Sequence, residues 1–219
     1  TYVVTGAKRG IGYEYCKQLA ERGDEAIALC RNASPELLDL GIRVETGVDI
    51  TSDESVAAVV TRLQDTHIDV LVNNAGIIER VTLDALDFES IREQFEVNAL
   101  GPLRLTKALL PCMGNGSKLI LMTSRMGSID DNTSGSSYGY RMSKVALSMA
   151  GKSLSHDLRH RNIAVAILHP GLVQTRMTGF TPHGITPEES VNGLLDRIDQ
   201  LTLDATGTFW HANGEILPW

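Results

Sequence analysis

The 219-residue sequence predicts an α/β fold: a doubly wound parallel sheet of about seven strands, with helices on both faces, in a single domain over residues 1–219. Three observations predict it. Short runs rich in β-branched residues alternate with segments of helical period along the whole chain. Several of those runs are apolar on both faces, as parallel strands covered by helices on two sides must be. Glycine and proline breaks separate the two kinds of segment.

The first strand is "YVVT" (2–5), and a glycine-rich turn leads from it into a helix over about 11–22 that Gly23 stops. "EAIALC" (25–30) and "RVETG" (43–47) form the second and third strands, followed by a helix over about 53–65. "DVLVNN" (69–74) is the fourth strand, and a long helix over about 86–110 runs from it to Pro111. "SKLILMTS" (117–124) precedes a helix over about 138–159, and "IAVAILH" (163–169) ends at Pro170-Gly171. A last helix over about 187–201 and a weaker strand "GTFW" (207–210) complete the alternation, which implies right-handed crossovers. Two irregular stretches, 125–137 and 171–186, follow the carboxyl ends of strands, where open α/β sheets place their ligands.

Composition excludes several classes. With 42% hydrophobic and 21% charged residues the chain is neither disordered nor fibrous. No apolar run approaches the roughly 20 residues a membrane helix needs, so no membrane association is expected. "TYVVTG" enters a strand directly, without the charged start of a secretory signal. Cys16, Cys30 and Cys112 are odd in number and widely spaced, which fits neither a disulfide framework nor a zinc site. A cytoplasmic setting follows, and the sequons "NGS" and "NTS" are then coincidences. A net charge of -7 opposes nucleic-acid binding. His156 and His160 lack a third ligand and are read as a solvated face or subunit contact, while His169 is read as a packed structural histidine. Ser124, in "MTSRM", lacks the G-x-S-x-G elbow of a hydrolase.

Two features carry chemistry. In "TGAKRGIG", Gly6, Gly10 and Gly12 open the first helix, where free N–H groups and the helix dipole favour a phosphate. The spacing G-x-x-x-G-x-G differs from the G-x-G-x-x-G form. The second feature is a tyrosine four residues before a lysine, one helical turn apart. It occurs twice, as Tyr13 with Lys17 and as Tyr140 with Lys144, with Tyr138 close by. Spacing alone does not choose between them.

Taken in order, "TGAKRGIG", "NNAG" (73–76), Asn98 in "VNALG", Ser124, "YRMSK" (140–144) and "PGLVQT" (170–175) resemble the short-chain dehydrogenases/reductases over nearly the whole chain. "YGYRMSKVAL", "SLSHDL", "LHPGLVQTRM" and the terminal "LPW" are similar to the C-factor-like and sniffer-type carbonyl reductase branch. The resemblance implies a Rossmann-type fold with Tyr140 as the general acid and Ser124 as hydrogen-bond donor to the substrate oxygen. Lys144 would lower the tyrosine pKa and hold the nicotinamide ribose, and Asn98 would organise a water relay. A lysine near a tyrosine suits this chemistry because positive charge stabilises phenolate. Ser124 lies 16 residues before Tyr140, more than the usual family separation, and Ser128, 12 before it, is the alternative donor.

The same resemblance places a dinucleotide against Gly6, Gly10, Ile11 and Gly12, with Asp49 and Ile50 at the adenine. Asn74, Ala75 and Gly76 would follow the ribose, and Pro170, Gly171, Val173 and Thr175 the nicotinamide end; Asn73 would tie the sheet together. The second strand ends in Arg31 rather than an acid, and Lys8 and Arg9 add positive charge. That favours NADP(H) over NAD(H), because guanidinium suits a 2′-phosphate. Tyr13 is assigned to packing, Tyr138 to the substrate entrance, and Met177–Ile185 to the border of an open substrate pocket. The expected protein is an NADPH-dependent reductase of small aldehydes or ketones, reversible as an alcohol dehydrogenase, assembled as a homodimer or homotetramer. The rival is a non-catalytic dinucleotide-binding signalling protein.

Overall fold

A computed structural model describes residues 1–219. Seven parallel strands form one sheet in the order β3-β2-β1-β4-β5-β6-β7. They are β1 (Tyr2–Thr5), β2 (Ala26–Leu29), β3 (Arg43–Glu45), β4 (Ile68–Asn73), β5 (Met113–Met122), β6 (Ala164–His169) and β7 (Thr208–His211). The order reverses between β1 and β4, which opens a crevice at the carboxyl edge where such sheets bind ligands.

Alternation within the strands sets the two layers. Val4, Ala28, Val72, Ile120 and Met122 face α1 (Gly10–Glu21) and α7 (Pro187–Asp199), and pack with Tyr15, Leu19, Leu194 and Ile198. Val3, Ile27, Leu71, Leu119 and Leu121 face α3 (Asp53–Leu63), α5 (Gly101–Leu109) and α6 (Tyr138–Asp157), and pack with Val59, Leu105 and Leu147. Each such large side chain, fully buried, contributes roughly 1.5–3 kcal/mol. Gly151 lets α6 lie directly on the sheet, since a Cβ there would stand 2.7 Å from Ile167. Asn73 ties β4 to α5 through a 3.0 Å hydrogen bond from Nδ2 to the Thr106 hydroxyl.

Three local departures from the expected elements have physical causes. A short helix, α2 (Pro35–Leu38), was not expected; Ser34 caps it from its hydroxyl and Pro35 occupies the first turn. β5 starts at Met113, four residues earlier than its β-branched run, with a register shift opposite Ile68/Val70 that accommodates the glycine-containing start. The long helix predicted over about 86–110 is interrupted. It consists of α4 (Phe88–Phe95), one π-helical turn (Glu96–Leu100) and α5. Asn98 lies in that wider turn and is fully buried; π-turns of this kind are frequent at functional sites.

Candidate active site

The crevice at the carboxyl edge is a cleft of about 820 Å³, walled by the glycine turn, the ends of β2 and β4, residues 48–51 and the segment from Gln174 to Met177. The glycine turn is shaped by close approach. A Cβ at Gly12 would stand 2.4 Å from the Gly6 carbonyl oxygen, and Gly6 itself has φ +66 with the Ala75 backbone 2.9 Å from where its Cβ would lie. Side chains would therefore displace the turn from the helix start. α1 has no side-chain cap and no acid in its first turn. By contrast, α3, α4 and α7 are capped by Ser52, Asp87 and Thr186. The amide end of α1 alone among these is left facing the cleft, suited to phosphate oxygens.

The charge in the cleft agrees. Lys8, Arg9 and Arg31 line it and are exposed, and none makes a salt bridge, whereas Arg22, Arg43, Arg62, Arg92 and Arg104 elsewhere are paired with carboxylates. Arg176 also lines the cleft without an acidic partner; its place after the "PGLVQT" run gave no sign of this. Asp49 closes a turn, its Oδ1 accepting from the Thr51 hydroxyl (2.7 Å) and amide (2.9 Å). Those two bonds, and more weakly Arg31 and Arg104, hold its carboxyl below the usual range. Ile50 lines the cleft and packs on Gly101 at the start of α5.

Asn74 is committed to the sheet: its Nδ2 donates to the Thr5 carbonyl at 2.9 Å, and its amide to the Thr5 hydroxyl at 2.9 Å. What the 74–76 segment offers the cleft is therefore mainly the backbone of Ala75 and Gly76. Thr175 faces Gly10, 3.5 Å from where a Cβ there would lie. Pro170, Gly171 and Val173 stand behind the cleft wall. The Pro170 carbonyl accepts from Ser190 at 2.7 Å, and Val173 is bridged to Ile185.

Beyond Gly76 lies a second, buried group. A Cβ on Gly76 would stand 3.2 Å from Asn98 Oδ1 and 3.4 Å from Lys144 Nζ, so glycine is the residue that lets the cleft reach them. Lys144 and Tyr140 share one face of α6, with Nζ 5.7 Å from the ring centroid. Lys144 Nζ donates to the Met122 carbonyl at 2.8 Å, and burial pulls its pKa down to about 8. Burial pushes the Tyr140 phenol up, and the Ser124 hydroxyl and the Arg80 guanidinium oppose that rise. The Tyr140 phenol is thus raised, where the resemblance implied lowering by Lys144: burial outweighs the opposing Ser124 and Arg80, and the buried Lys144 amine lies against the ring. Arg80, exposed and without a salt bridge, was not singled out in the sequence, because nothing in "GIIERV" distinguishes it from a surface arginine.

Ser124 lies two residues beyond the end of β5, not at the strand's end, and caps the short turn 125–127: its Oγ accepts from the Met126 amide at 3.1 Å, leaving its proton to donate. Ser128 is buried and closes a local turn by accepting from the Asp131 amide at 3.1 Å. Asn98 holds Ile77 at both ends, accepting from its amide (2.8 Å) and donating to its carbonyl (2.9 Å), and also donates to Ser143 Oγ (3.0 Å). The loop entering α6 runs through three residues of positive φ, Gly135, Ser136 and Ser137 (+64, +55 and +50). Each serine held there costs roughly 1–2 kcal/mol.

Residues 1–185 match the short chain dehydrogenase family model. The chain belongs to that family. Within it, the chain is 42% identical over its full length, and 99% of the relative's, to a 1-hydroxy-2-glutathionyl-2-methyl-3-butene dehydrogenase of Rhodococcus sp.. It is 44% identical to the C-signal of Myxococcus xanthus over 69% of this chain and 93% of that one. Its structure is similar to an NADPH-bound carbonyl reductase from chicken fatty liver (TM-score 0.91, 29% identity, 100% of this chain and 98% of that one). It is equally similar to the carbonyl reductase Sniffer of D. melanogaster (TM-score 0.90, 31% identity, 100% and 99%). Both likenesses that the C-terminal motifs suggested are thus present.

Other groups of this short-chain dehydrogenase stay outside the site. His169 is held neutral, its pKa pulled down to about 3 chiefly by burial, with His211 edge-on at 4.9 Å. No cluster of His, Cys, Asp or Glu could hold a metal, and His156 and His160 are exposed. No helix is long and apolar enough to cross a membrane.

Proposed function

We propose that this short-chain dehydrogenase is an NADPH-dependent reductase of small aldehydes and ketones, reversible as an alcohol dehydrogenase. The observation that carries the reading is the buried pair Tyr140–Lys144, with Ser124 beside it, meeting at Gly76 a cleft whose cations lack partners. NADPH, when bound, supplies the hydride. Lys8, Arg9 and Arg31 suit its 2′-phosphate, and the uncapped start of α1 suits its diphosphate.

The chain's own residues then handle the oxygen. Ser124 Oγ–H donates to the carbonyl oxygen as negative charge develops there. Tyr140 Oη–H gives up its proton to the same oxygen. Because burial raises the phenol, it is fully protonated at neutral pH and ready to act as an acid. In the oxidative direction the phenolate is needed, so alcohol oxidation rises with pH where carbonyl reduction is flat. Lys144 reaches toward the ribose side past Gly76, and as its pKa lies near 8 it can pass protons near neutrality. Asn98, with both ends of its amide taken, contributes to a proton relay through its backbone and by fixing Ile77.

The setting is proposed as cytoplasmic, which suits three free cysteines. Leu100, Leu103, Met142 and Met149, exposed on the π-turn, α5 and α6, support a homodimer or homotetramer. The full-length relationship to a glutathionyl-alcohol dehydrogenase supports including hydroxyl compounds with charged substituents among the substrates. The likeness to C-signal favours a second reading, a signalling protein that binds the dinucleotide without turnover. NADPH consumption with a panel of aldehydes and ketones decides between them. Turnover that is at least tenfold more efficient with NADPH than NADH supports the enzyme. Tight NADPH binding without turnover supports the signalling protein.

A further inference from the structure

Arg141 follows Tyr140 directly, and its side chain turns back onto the loop that precedes α6. Nε donates to the carbonyls of Gly135 (3.0 Å) and Ser136 (3.2 Å), and Nη2 donates to the Ser134 hydroxyl (2.9 Å). Nη1 donates to the Met126 carbonyl at 3.3 Å. One guanidinium therefore grips both ends of the loop 125–137: the left-handed run at its end and the residue two beyond Ser124 at its start. Met126 is also the residue whose amide the Ser124 hydroxyl accepts, at 3.1 Å.

This arrangement answers a question raised by chain length. Ser124 and Tyr140 must meet one substrate oxygen, yet they stand 16 positions apart with the loop 125–137 between them. A loop of that length does not by itself fix its ends relative to one another. The left-handed backbone at Gly135–Ser137 is unfavourable for its two serines and persists only where the surroundings impose it. Three groups impose it: Asn132 Oδ1, which accepts the Gly135 amide at 3.1 Å, the Val81 carbonyl, which accepts the Ser137 amide at 2.8 Å, and the Arg141 side chain. A planar fork with five donors can bridge four acceptors on different segments, which an ammonium cannot.

We propose that Arg141 is a positioning residue for the reaction: it clasps the loop so that the Ser124 hydroxyl and the Tyr140 phenol are held toward one substrate oxygen. The inference rests on the proposed carbonyl reduction. A misplacement of about 1 Å in such a constellation costs about a hundredfold in rate. The clasp acts through Ser124, so its loss should matter only while Ser124 is present.

The test is a cycle of Arg141→Ala, Ser124→Ala and the double variant, with Arg141→Lys as the conservative change. Arg141→Ala is expected to lower kcat about tenfold to a hundredfold with the KM for NADPH within about twofold, and Arg141→Lys to recover only part of the loss. In the Ser124→Ala background, Arg141→Ala should cost less than about twofold more. Because Ser124 opposes the rise of Tyr140, both single variants should also move the pH limb of alcohol oxidation upward. Independent, multiplying losses in the cycle, or an unmoved limb, would overturn the proposal. Amide hydrogen exchange reads the clasp without turnover: residues 126–137 should exchange faster in Arg141→Ala while the strands do not, and unchanged exchange overturns it. Absence of carbonyl turnover in the wild-type protein would sink the proposed function, and the exchange result would still decide whether the clasp exists.

Discussion

Two places in the molecule carry a tyrosine four residues before a lysine, and they differ in everything except spacing. Tyr13 begins the exposed side of α1 and is only partly buried against the core. Lys17 is 35% exposed, 3.6 Å from Glu14 and 4.0 Å from Glu21, and Glu14 above all raises its pKa. Tyr140 and Lys144 are 7% and 4% exposed, and burial lowers the lysine to about 8 while raising the phenol. The same helical offset thus yields a half-exposed lysine paired with two glutamates at one site and a buried phenol beside a buried amine at the other. Geometry comes from spacing; chemistry comes from what surrounds it.

The largest effect expected from this contrast is kinetic. Tyr140→Phe removes the phenol proton that lies beside Ser124 and should lower kcat for carbonyl reduction about a thousandfold, in the range of general acid loss. Tyr13→Phe keeps the packing surface and should stay within about twofold of wild type. Steady-state rates with saturating NADPH measure both. Comparable losses at the two positions would erase the distinction.

A lesser effect is expected at the lysines. Lys144→Met should reduce kcat/KM about a hundredfold and weaken NADPH, because the proposed function has the amine, 3.4 Å from where a Gly76 Cβ would lie, hold the cofactor's ribose. Lys17→Met removes a surface ion pair and should leave both parameters unchanged. Fluorescence titration with NADPH alongside the rates separates binding from chemistry. A Lys144→Met variant with unaltered NADPH affinity would remove the ribose role while leaving the catalytic one to be judged by kcat.

Why one pair could be told from the other in the sequence, and other features could not, follows from the kinds of force involved. The sheet was legible because its strands are apolar on both faces and alternate with helical periods, and hydrophobic pattern dominates the energy of folding. The glycine turn was legible because Gly6 and Gly12 answer to hard-sphere contacts that no other residue can meet. The π-turn at Asn98 left no trace, since "EQFEVNALGPL" has an ordinary helical period; it depends on Asn98 bonding Ile77 across space. Arg80 and Arg176 were missed for a similar reason. A surface arginine and one that faces a site have the same local sequence, and only the fold decides which carboxylates come near. Asn74 shows the converse: its motif was recognised, but the side chain serves the sheet through Thr5.

The smallest effect is in stability, and here the two lysines should respond with opposite sign. For Lys144 the folded pKa, about 8, lies below the 10.5 of a free lysine. Between those values the unfolded chain holds more protons than the folded one, so the Lys144 contribution to stability rises with pH across that window. Below it, the folded state bears the full cost of a buried ammonium, offset in part by the hydrogen bond to Met122. Lys144→Met should therefore stabilise the protein by roughly 1–3 kcal/mol near neutral pH, with the gain shrinking toward about pH 10. Lys17 has a raised pKa, so its contribution is fully present below 10.5 and is lost as pH rises through the folded value. Lys17→Met should accordingly destabilise slightly at neutral pH and converge on wild type under alkaline conditions. Urea unfolding of the three proteins at about pH 7 and about pH 10 reads the Lys144 trend, and a further measurement above the raised folded pKa of Lys17 reads the other. If Lys144→Met proves less stable than wild type at neutral pH, its amine is not paying a burial penalty, and the contrast between the two pairs would rest on hydrogen bonding instead of desolvation.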